Sequence, residues 1–500
     1  MAVSGIGAAD AFGAYALAPA IAANSASTLD LTSIALTSAA AASSPPVPAM
    51  TVTVGNPMTP DSTYAKPVPV DPITLAWATP PTDTISKVMA QLKSTDSSYV
   101  VGGLGAAVLT QFTTTQGDFQ QSVVASQNID PNGPIDATAN AAALNDAQTV
   151  PNNAALTIHT ASGKEVGISI AFGGDSGVGD SLSINVRTSG KLSAAERAAI
   201  AKLSAGFAAA LQGITSVPPQ VDVSGLVNFD PSVLSSVDLK VTDPQSTSLQ
   251  SLNFHADAGG RTLAMQGAAG AVSVSVDLST PALWGSKAQQ QTALLGYLDQ
   301  FDAANQRAKG GATLLGQLDA AFSELNSSYP ASDSKPAKGP NPSGLNTKDV
   351  SVLSGLADFH ASMSGASDNG SATQPTTEAG KINYRASQQT TISGVNKSSG
   401  LSVAQTQTAT LVASYEQSRD GEILDTSSGN YDLYRIDDST STTTSFAYAN
   451  DKLQSASIVN QVNQSQVYEE LVNHKVVAQT TTPHNTFTIQ DISALLQPAA

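Results

Sequence analysis

Leu401-Ser-Val403-Ala-Gln-Thr-Gln-Thr-Ala-Thr-Leu411-Val-Ala413-Ser-Tyr415 is the stretch on which the fold turns. Leu401, Val403, Leu411, Ala413 and Tyr415 share one parity, the period of a strand whose successive side chains go to opposite faces. The same alternation surrounds it. Ile382, Tyr384, Ala386 and Ile392 share a parity, and Tyr431-Asp-Leu433-Tyr434-Arg-Ile436 and Ser445-Phe446-Ala-Tyr448 continue the pattern. A hairpin turn is expected at Asn473-His474-Lys475, between Val467–Val472 and Val476–Thr480. These strands are long and rich in Thr, Ser and Gln on both faces. They predict an antiparallel meander with one modestly apolar face over 381–500.

Upstream, residues 154–330 read as an α+β unit. Leu156-Thr-Ile158-His159 and Val166-Gly-Ile168-Ser-Ile170 flank Ser162-Gly163-Lys164 as a β-hairpin, and Leu182-Ser-Ile184-Asn-Val186 is a further strand. Ser193 and Glu196 form a capping box for a helix with Ile200, Leu203, Phe207 and Leu211 on its buried stripe. Strands follow over Val237–Val241, Leu249–His255, Arg261–Gln266 and Ala271–Leu278. The period then changes to 3.6. Ser286 and Gln289 are placed for a second capping box, and Leu294, Tyr297, Leu298 and Phe301 follow on one face. After Gly310-Gly311, Leu314, Leu315, Leu318, Phe322 and Leu325 start another helix, so the two should pair antiparallel. Strands grouped together and then helices grouped together give an α+β class rather than a doubly wound sheet.

The remaining segments divide the chain. Ten of the 26 prolines fall between Pro45 and Pro81, which excludes helix and central strand there. Residues 1–80 read as a disordered Ala/Ser/Thr/Pro-rich leader. Residues 81–153 read as a short helix, with Ile85, Val88, Met89 and Leu92 on one face, followed by a linker. Residues 331–380 read as a Ser/Gly/Pro linker holding one helix, with Val352, Leu353, Leu356 and Phe359 on one side. The expected fold is therefore α+β and multidomain, with antiparallel sheets, a helical hairpin and a C-terminal all-β meander.

Composition narrows the chemistry. The net charge of −17 argues against nucleic acid and against anionic membranes as partners. There is no cysteine, so disulfides, thiol catalysis and thiolate metal sites are excluded. No apolar run approaches the length of a bilayer span. The first Lys or Arg is Lys66, so Met1–Asn24 lacks the positive region of a secretory signal peptide. Two locations stay open: the cytoplasm, or export of a bacterial protein without a cleaved signal.

Four short motifs carry resemblances. Gly174-Asp175-Ser176-Gly177 resembles the nucleophile motif of trypsin-like proteases, but the sole upstream histidine, His159, is far too close in sequence to match that family. Gly179-Asp180-Ser181-Leu182 resembles the first block of GDSL esterases. That family draws its base from an Asp-x-x-His, which is absent here; Asp358-Phe-His360 has the wrong spacing. The same run is similar to one copy of a Gly-Gly-x-Gly-x-Asp calcium repeat, which works only as an array. Val100-Val-Gly102-Gly103-Leu-Gly105-Ala-Ala-Val108 resembles a dinucleotide fingerprint, with Val108 where a third small residue belongs. His159, His255, His360, His474 and His484 are dispersed, and His255-Ala-Asp257 is the nearest approach to a charged pair. Asp437-Asp438 and Glu469-Glu470 send their carboxylates to opposite faces of a strand.

No catalytic, cofactor or metal residue is therefore assigned. The expected function is that of a non-enzymatic bacterial binding or structural protein, with export or surface association as one of the two open locations. Its expected partner is a protein or a second copy, engaged through a β-edge. Tyr415, Tyr434 and Tyr448 are the candidate contact residues, because aromatics concentrate binding energy. The alternatives are a small-ligand carrier with a C-terminal β-barrel, and an enzyme using the GDSL-like or dinucleotide-like motif.

Overall fold

A strand needs a neighbour on each flank to satisfy its backbone, and here all but the two edge strands find both in one antiparallel sheet of fifteen described strands. The structure is a computed structural model and describes residues 73–93, 97–114, 117–127, 144, 153–175, 179–216, 219–242, 249–329, 344–366, 380–419 and 424–497. The strands are β1 (Ile73–Trp77), β2 (Phe119–Gln127), β3 (Ala154–Thr160), β4 (Glu165–Asp175), β5 (Gly179–Thr188), β6 (Leu234–Thr242), β7 (Ser251–Asp257), β8 (Gly260–Gly267), β9 (Gly270–Asp277), β10 (Asp358–Ala366), β11 (Lys381–Asn396), β12 (Gly400–Gln417), β13 (Tyr431–Ala449), β14 (Lys452–Val472) and β15 (Lys475–Asp491). Their order in the sheet is β1-β2-β5-β4-β3-β6, followed by β7 to β15 in sequence. The class is α+β, as expected, and its C-terminal part is the expected meander. The strands of 154–330 and those of 381–500 belong to the same sheet, because β10 pairs with β9 on one side and β11 on the other.

The helices are α1 (Thr84–Met89), α2 (Ser97–Gln111), α3 (Ala194–Lys202), α4 (Ser204–Thr215), α5 (Lys287–Arg307), α6 (Ala312–Asn326), α7 (Thr347–Ser351) and α8 (Ser493–Leu496). A single row across the sheet shows where they matter. Leu156 pairs with Leu239, then Phe254, Leu263, Val274, Ala361, Ala386, Ala409 and Thr440. Leu156 to Ala409 are buried in the same apolar cluster as Met89, Leu104, Phe207, Phe301 and Phe322 of the helices. The row shrinks from Leu and Phe to Ala and then to Thr as the sheet leaves its helical cover. At about 25 cal/mol per Å² of apolar area, burial holds the first strands much more strongly than the last.

Several elements follow from local chemistry. Asp83 caps α1 by accepting from Ser86 N, and Ser193 and Glu196 make the full reciprocal capping box on α3. The stripe Ile200-Leu203-Phe207-Leu211 is buried, though Leu203 marks the junction of α3 and α4. The run Ala194–Thr215 has the length and hydropathy of a bilayer span, and its Ile200, Phe207 and Leu211 are spent in the core. The helical hairpin forms as expected, with α5 and α6 joined across Gly310-Gly311. Two-residue turns with positive φ, Asn450-Asp451 and the expected Asn473-His474, close the last two hairpins.

Three expectations need correction. Ser286 caps α5 alone, because Gln289 turns its amide to Val350 O (3.0 Å) and Leu353 O (2.7 Å). The helix expected through Val352, Leu353, Leu356 and Phe359 is confined to α7; Gly355 at φ +79° breaks it, and β9 and β11 take Phe359 into β10. Residues 97–127, expected as linker in part, form α2 and β2. The leader assigned to 1–80 lies outside the described residues up to Pro72, and β1 begins within it.

Two buried details set the packing. Arg261 occupies a core position of β8 and is 3% exposed. It donates to Leu325 O (2.7 Å) at the last turn of α6 and, longer, to Val227 O (3.5 Å), so it caps a helix C-terminus from the sheet. Burial lowers its pKa to about 10, still cationic at neutral pH. Gly206 on α4 meets Gly225 so closely that a Cβ on Gly206 would lie 2.5 Å from the Gly225 carbonyl carbon. Gly206→Ala should therefore destabilise by ~1–3 kcal/mol despite the better helix propensity of Ala. Chemical denaturation of the purified variant measures this.

The carboxyls of α6 set a pH dependence. Burial raises Glu324 to about 7, with the Val223 N–H (2.5 Å) opposing and Asp222 adding to the rise. Burial and Asp302 raise Asp319 to about 6. Folded-state pKa values above the unfolded ones give stability that is full in acid and is lost as pH rises through 6 and 7. Glu196 has the opposite sign: the Ser162 hydroxyl, the Ser193 N–H and Lys164 hold it well below the carboxylate range, against burial. Its contribution is lost only in strong acid. The melting temperature should thus fall between about pH 4 and 7 and level off above, and Asp319→Asn with Glu324→Gln should flatten that slope.

Candidate interaction surface

Past the helical hairpin, the covered face of β12–β14 carries a ladder of tyrosines. Tyr415 pairs with Tyr434, and Tyr434 with Tyr468, so register alone sets the three rings side by side. Tyr415 and Tyr434 stack at 4.8 Å and 14°, and Tyr434 and Tyr468 lie 5.4 Å apart at 51°. Tyr415 is buried, while Tyr434 and Tyr468 are half-buried. The Tyr468 hydroxyl donates to Asp432 (3.1 Å). Tyr468 lies opposite Thr480 of β15, where the aromatic character ends.

The third expected tyrosine is elsewhere. Tyr448 stands about 48 Å along β13 from Tyr434, at roughly 3.4 Å per residue. It is buried and donates to Asp349 of α7 at 2.6 Å. The Lys397 ammonium pairs with the same carboxylate (2.5 Å) and lies 4.1 Å from the Tyr448 ring centroid. Asp349 also accepts from Asn346 N at 2.7 Å. This clasp fixes α7 to the sheet. The structure thus brings Tyr415 and Tyr434 together, adds Tyr468, and places Tyr448 in a separate core.

Beside the ladder sits an ion pair that residue spacing alone did not reveal. Asp438 faces the covered side of β13 and meets Arg307 at the end of α5 (Nε–Oδ2 2.5 Å, Nη2–Oδ1 3.1 Å). Ser465 N donates to the same carboxylate (3.2 Å). Asp437 is exposed on the other face, as the alternation required. The usable signal was the parity that Asp438 shares with Ile436.

Beyond β14 the cover is gone. All seventeen residues of β15 are exposed, on both faces. Val476 and Val477 are exposed at the register shift near the turn, and Phe487 (63%) and Ile489 (65%) stand in the far half. Phe487 and Ile489 share the open face with half-buried Val459, the neighbour opposite Ile489 on β14. Isolated exposed apolar residues are ordinary, but adjacent ones on a sheet-edge strand mark a contact surface.

The opposite end of the open face holds the densest charge. His255 Nδ1 lies 2.6 Å from Asp238 and its Nε2 3.5 Å from Asp257. His159 Nδ1 is 3.1 Å from Ser236 Oγ, and its Nε2 is 3.6 Å from Glu165. Burial pulls the His255 pKa down, but Asp238 and Asp257 outweigh it and the net shift is upward. The Ser236–His159–Glu165 order has the outline of a nucleophile relay. Ser236 spends its one proton on Asp238 (3.1 Å), and the backbone of His159 is paired on both flanks with Glu165 and Ser236. No pair of free backbone N–H groups converges there to hold an oxyanion. Among the described residues no group of three or more His, Asp or Glu is placed to hold a metal ion.

The motif residues have structural places. Gly102 and Gly105 lie inside α2 and let it close on α4; a Cβ at Gly105 would meet Leu211 at 2.8 Å. Ser181 lies within β5, opposite Val124 and Gly173, and Ser176 falls outside the described residues. Comparison with protein-family models, with curated proteins and with solved structures gives no match for the chain.

A fluorophosphonate probe should leave native Ser236 unlabelled, and Ser236→Ala should change stability by no more than ~0.5 kcal/mol, the range of an ordinary surface substitution. Mass spectrometry of the treated protein and a melting curve check both.

Proposed function

We propose that this chain is a non-enzymatic binding or structural protein that works through the far end of its sheet, where β15 offers its free edge to a protein strand. The observation that carries the reading is the exposure of β15 on both faces along its whole length, with Phe487 and Ile489 uncovered. Addition of a strand uses the backbone groups such an edge leaves unpaired, and flanking side chains set its selectivity. The tyrosine ladder supports β15 from behind: Tyr415, Tyr434 and Tyr468 stiffen the strands that present it. The His159–His255 cluster lacks converging oxyanion donors, which favours a binding role over a hydrolytic one. A carrier would need a closed barrel, and a linear strand order with β1 and β15 at its ends lends that reading no support.

The test uses photo-crosslinking in the cells that make the protein. A benzophenone amino acid in place of Phe487 should yield adducts with a protein chain, and the same group in place of Asp437, on the open face away from the edge, should yield none. Absence of adducts at 487, or equal adducts at both sites, would refute the reading.

A further inference from the structure

Edge strands of soluble proteins are usually blunted by charge, proline or a bulge, and β15 gathers its proline, its bulge and its one lysine into one half. Lys475 opens the strand, the register shifts at Val476–Val477, and Pro483 stands in the middle. The far half, 484–491, carries no proline and no register shift, and its single carboxylate, Asp491, stands at its last position.

The direction of each backbone group in that half follows from two bonds. Ile492 N donates to Ala456 O of β14 (3.1 Å), so the even-numbered residues at this end turn their N–H and C=O towards β14. Ser465, opposite Pro483, sends its N–H the other way, towards Asp438 of β13. Pro483 therefore costs β14 no bond, and its missing donor faces the free edge. Asn485, Phe487, Ile489 and Asp491 point their N–H and C=O to the same edge.

Resting on the proposed strand-edge function, we infer that the occupant of this edge is a second copy of the chain, paired antiparallel about a two-fold axis at Thr488. In that register Phe487 of each copy lies opposite Ile489 of the other, and Asn485 opposite Asp491. Every outward-facing residue meets another outward-facing residue, which an antiparallel ladder requires. Both exposed apolar side chains become covered by one operation, because an isologous contact uses each of them twice. Pro483 falls beyond the end of the ladder. A register centred on Pro483 would instead set two prolines opposite and lose the central bonds.

Charge favours the same occupant. The chain carries −17 overall, yet residues 484–491 hold one carboxylate, Asp491. Asp491 is tied back by Ser493 N (2.8 Å) and would face Asn485, so no like charges oppose each other. The rest of each copy still repels the other, so association should tighten with added salt.

The test is made on the full chain. Sedimentation velocity should give twice the 50.7 kDa protomer mass at micromolar concentration. Phe487→Pro, which removes an edge donor without touching the β14 ladder, and Ile489→Lys should each return it to the protomer mass. Thr481→Pro, an edge position in the blunted half, should leave the dimer intact. The chain has no cysteine, so Thr488→Cys supplies a single thiol. On the axis the two Cα atoms would stand about 4.5 Å apart, within disulfide reach. Mild oxidation should link Thr488→Cys into a dimer and leave Thr480→Cys unlinked. A protomer mass at all concentrations, or equal linking of the two cysteine variants, would overturn self-pairing. Adducts from position 487 to a different protein would do the same while leaving the strand-edge function standing.

Discussion

Register is the constraint on which everything else rests. Strands that keep one face to the helices and one to water would exchange the two on a slip of one residue. The row from Leu156 to Thr440 records how firmly each strand is held to its register. Where β8, β9 and β10 pack against α6, a slip would expose large apolar groups such as Leu263, Val274 and Phe359. At Thr440 the two faces are almost equally polar. There the register is kept by specific bonds: the stacked Tyr415 and Tyr434, the Arg307–Asp438 pair, and the Asp349 clasp.

Those bonds explain why a sheet so poor in large apolar residues at one end can extend so far. The long strand β13 is joined to the helices at two places, Asp438 and Tyr448, and backbone hydrogen bonds carry the order between them. Asp438 and Asp349 are nearly inaccessible, and each meets a cation and further donors, which is what a carboxylate needs to stay charged away from water. Arg261 does the same in reverse, meeting carbonyl oxygens at the end of a helix.

Alternation and capping made much of the fold legible in the sequence. The strands around Leu156, Val166, Val237, Phe254, Leu263 and Val274 show clean period two, and the α5–α6 hairpin shows a clean change of period at Ser286. Phe359 misled because its neighbours at 352, 353 and 356 fit a helix; only pairing with Val276 and Gln388 decides otherwise, and pairing is not local. β2 was hidden for a similar reason, since its core residues Val123 and Val124 lie among Gln and Ser. At the interaction surface, Tyr415 and Tyr434 could be read as sharing a sheet, but Tyr448 could be assigned to a separate core only once α7 supplied Asp349. Tyr468 was missed because the Glu pair beside it masked the parity.

The order of the strands also has a mechanical meaning. From β6 onward the chain adds each strand beside the one before it, so β15 lies at the outer margin of the sheet. Ile492 and Leu496, buried beside Phe446, would hold first against a pull from beyond α8; once they yield, the bonds of β15 would load one after another, as in opening a zipper, and not all together as in shear. Resistance would be low along β15 and would rise at Tyr468, at Asp438 and finally at the aromatic core around Phe301 and Phe359. A copy bound along 485–491 would brace the place where such peeling starts.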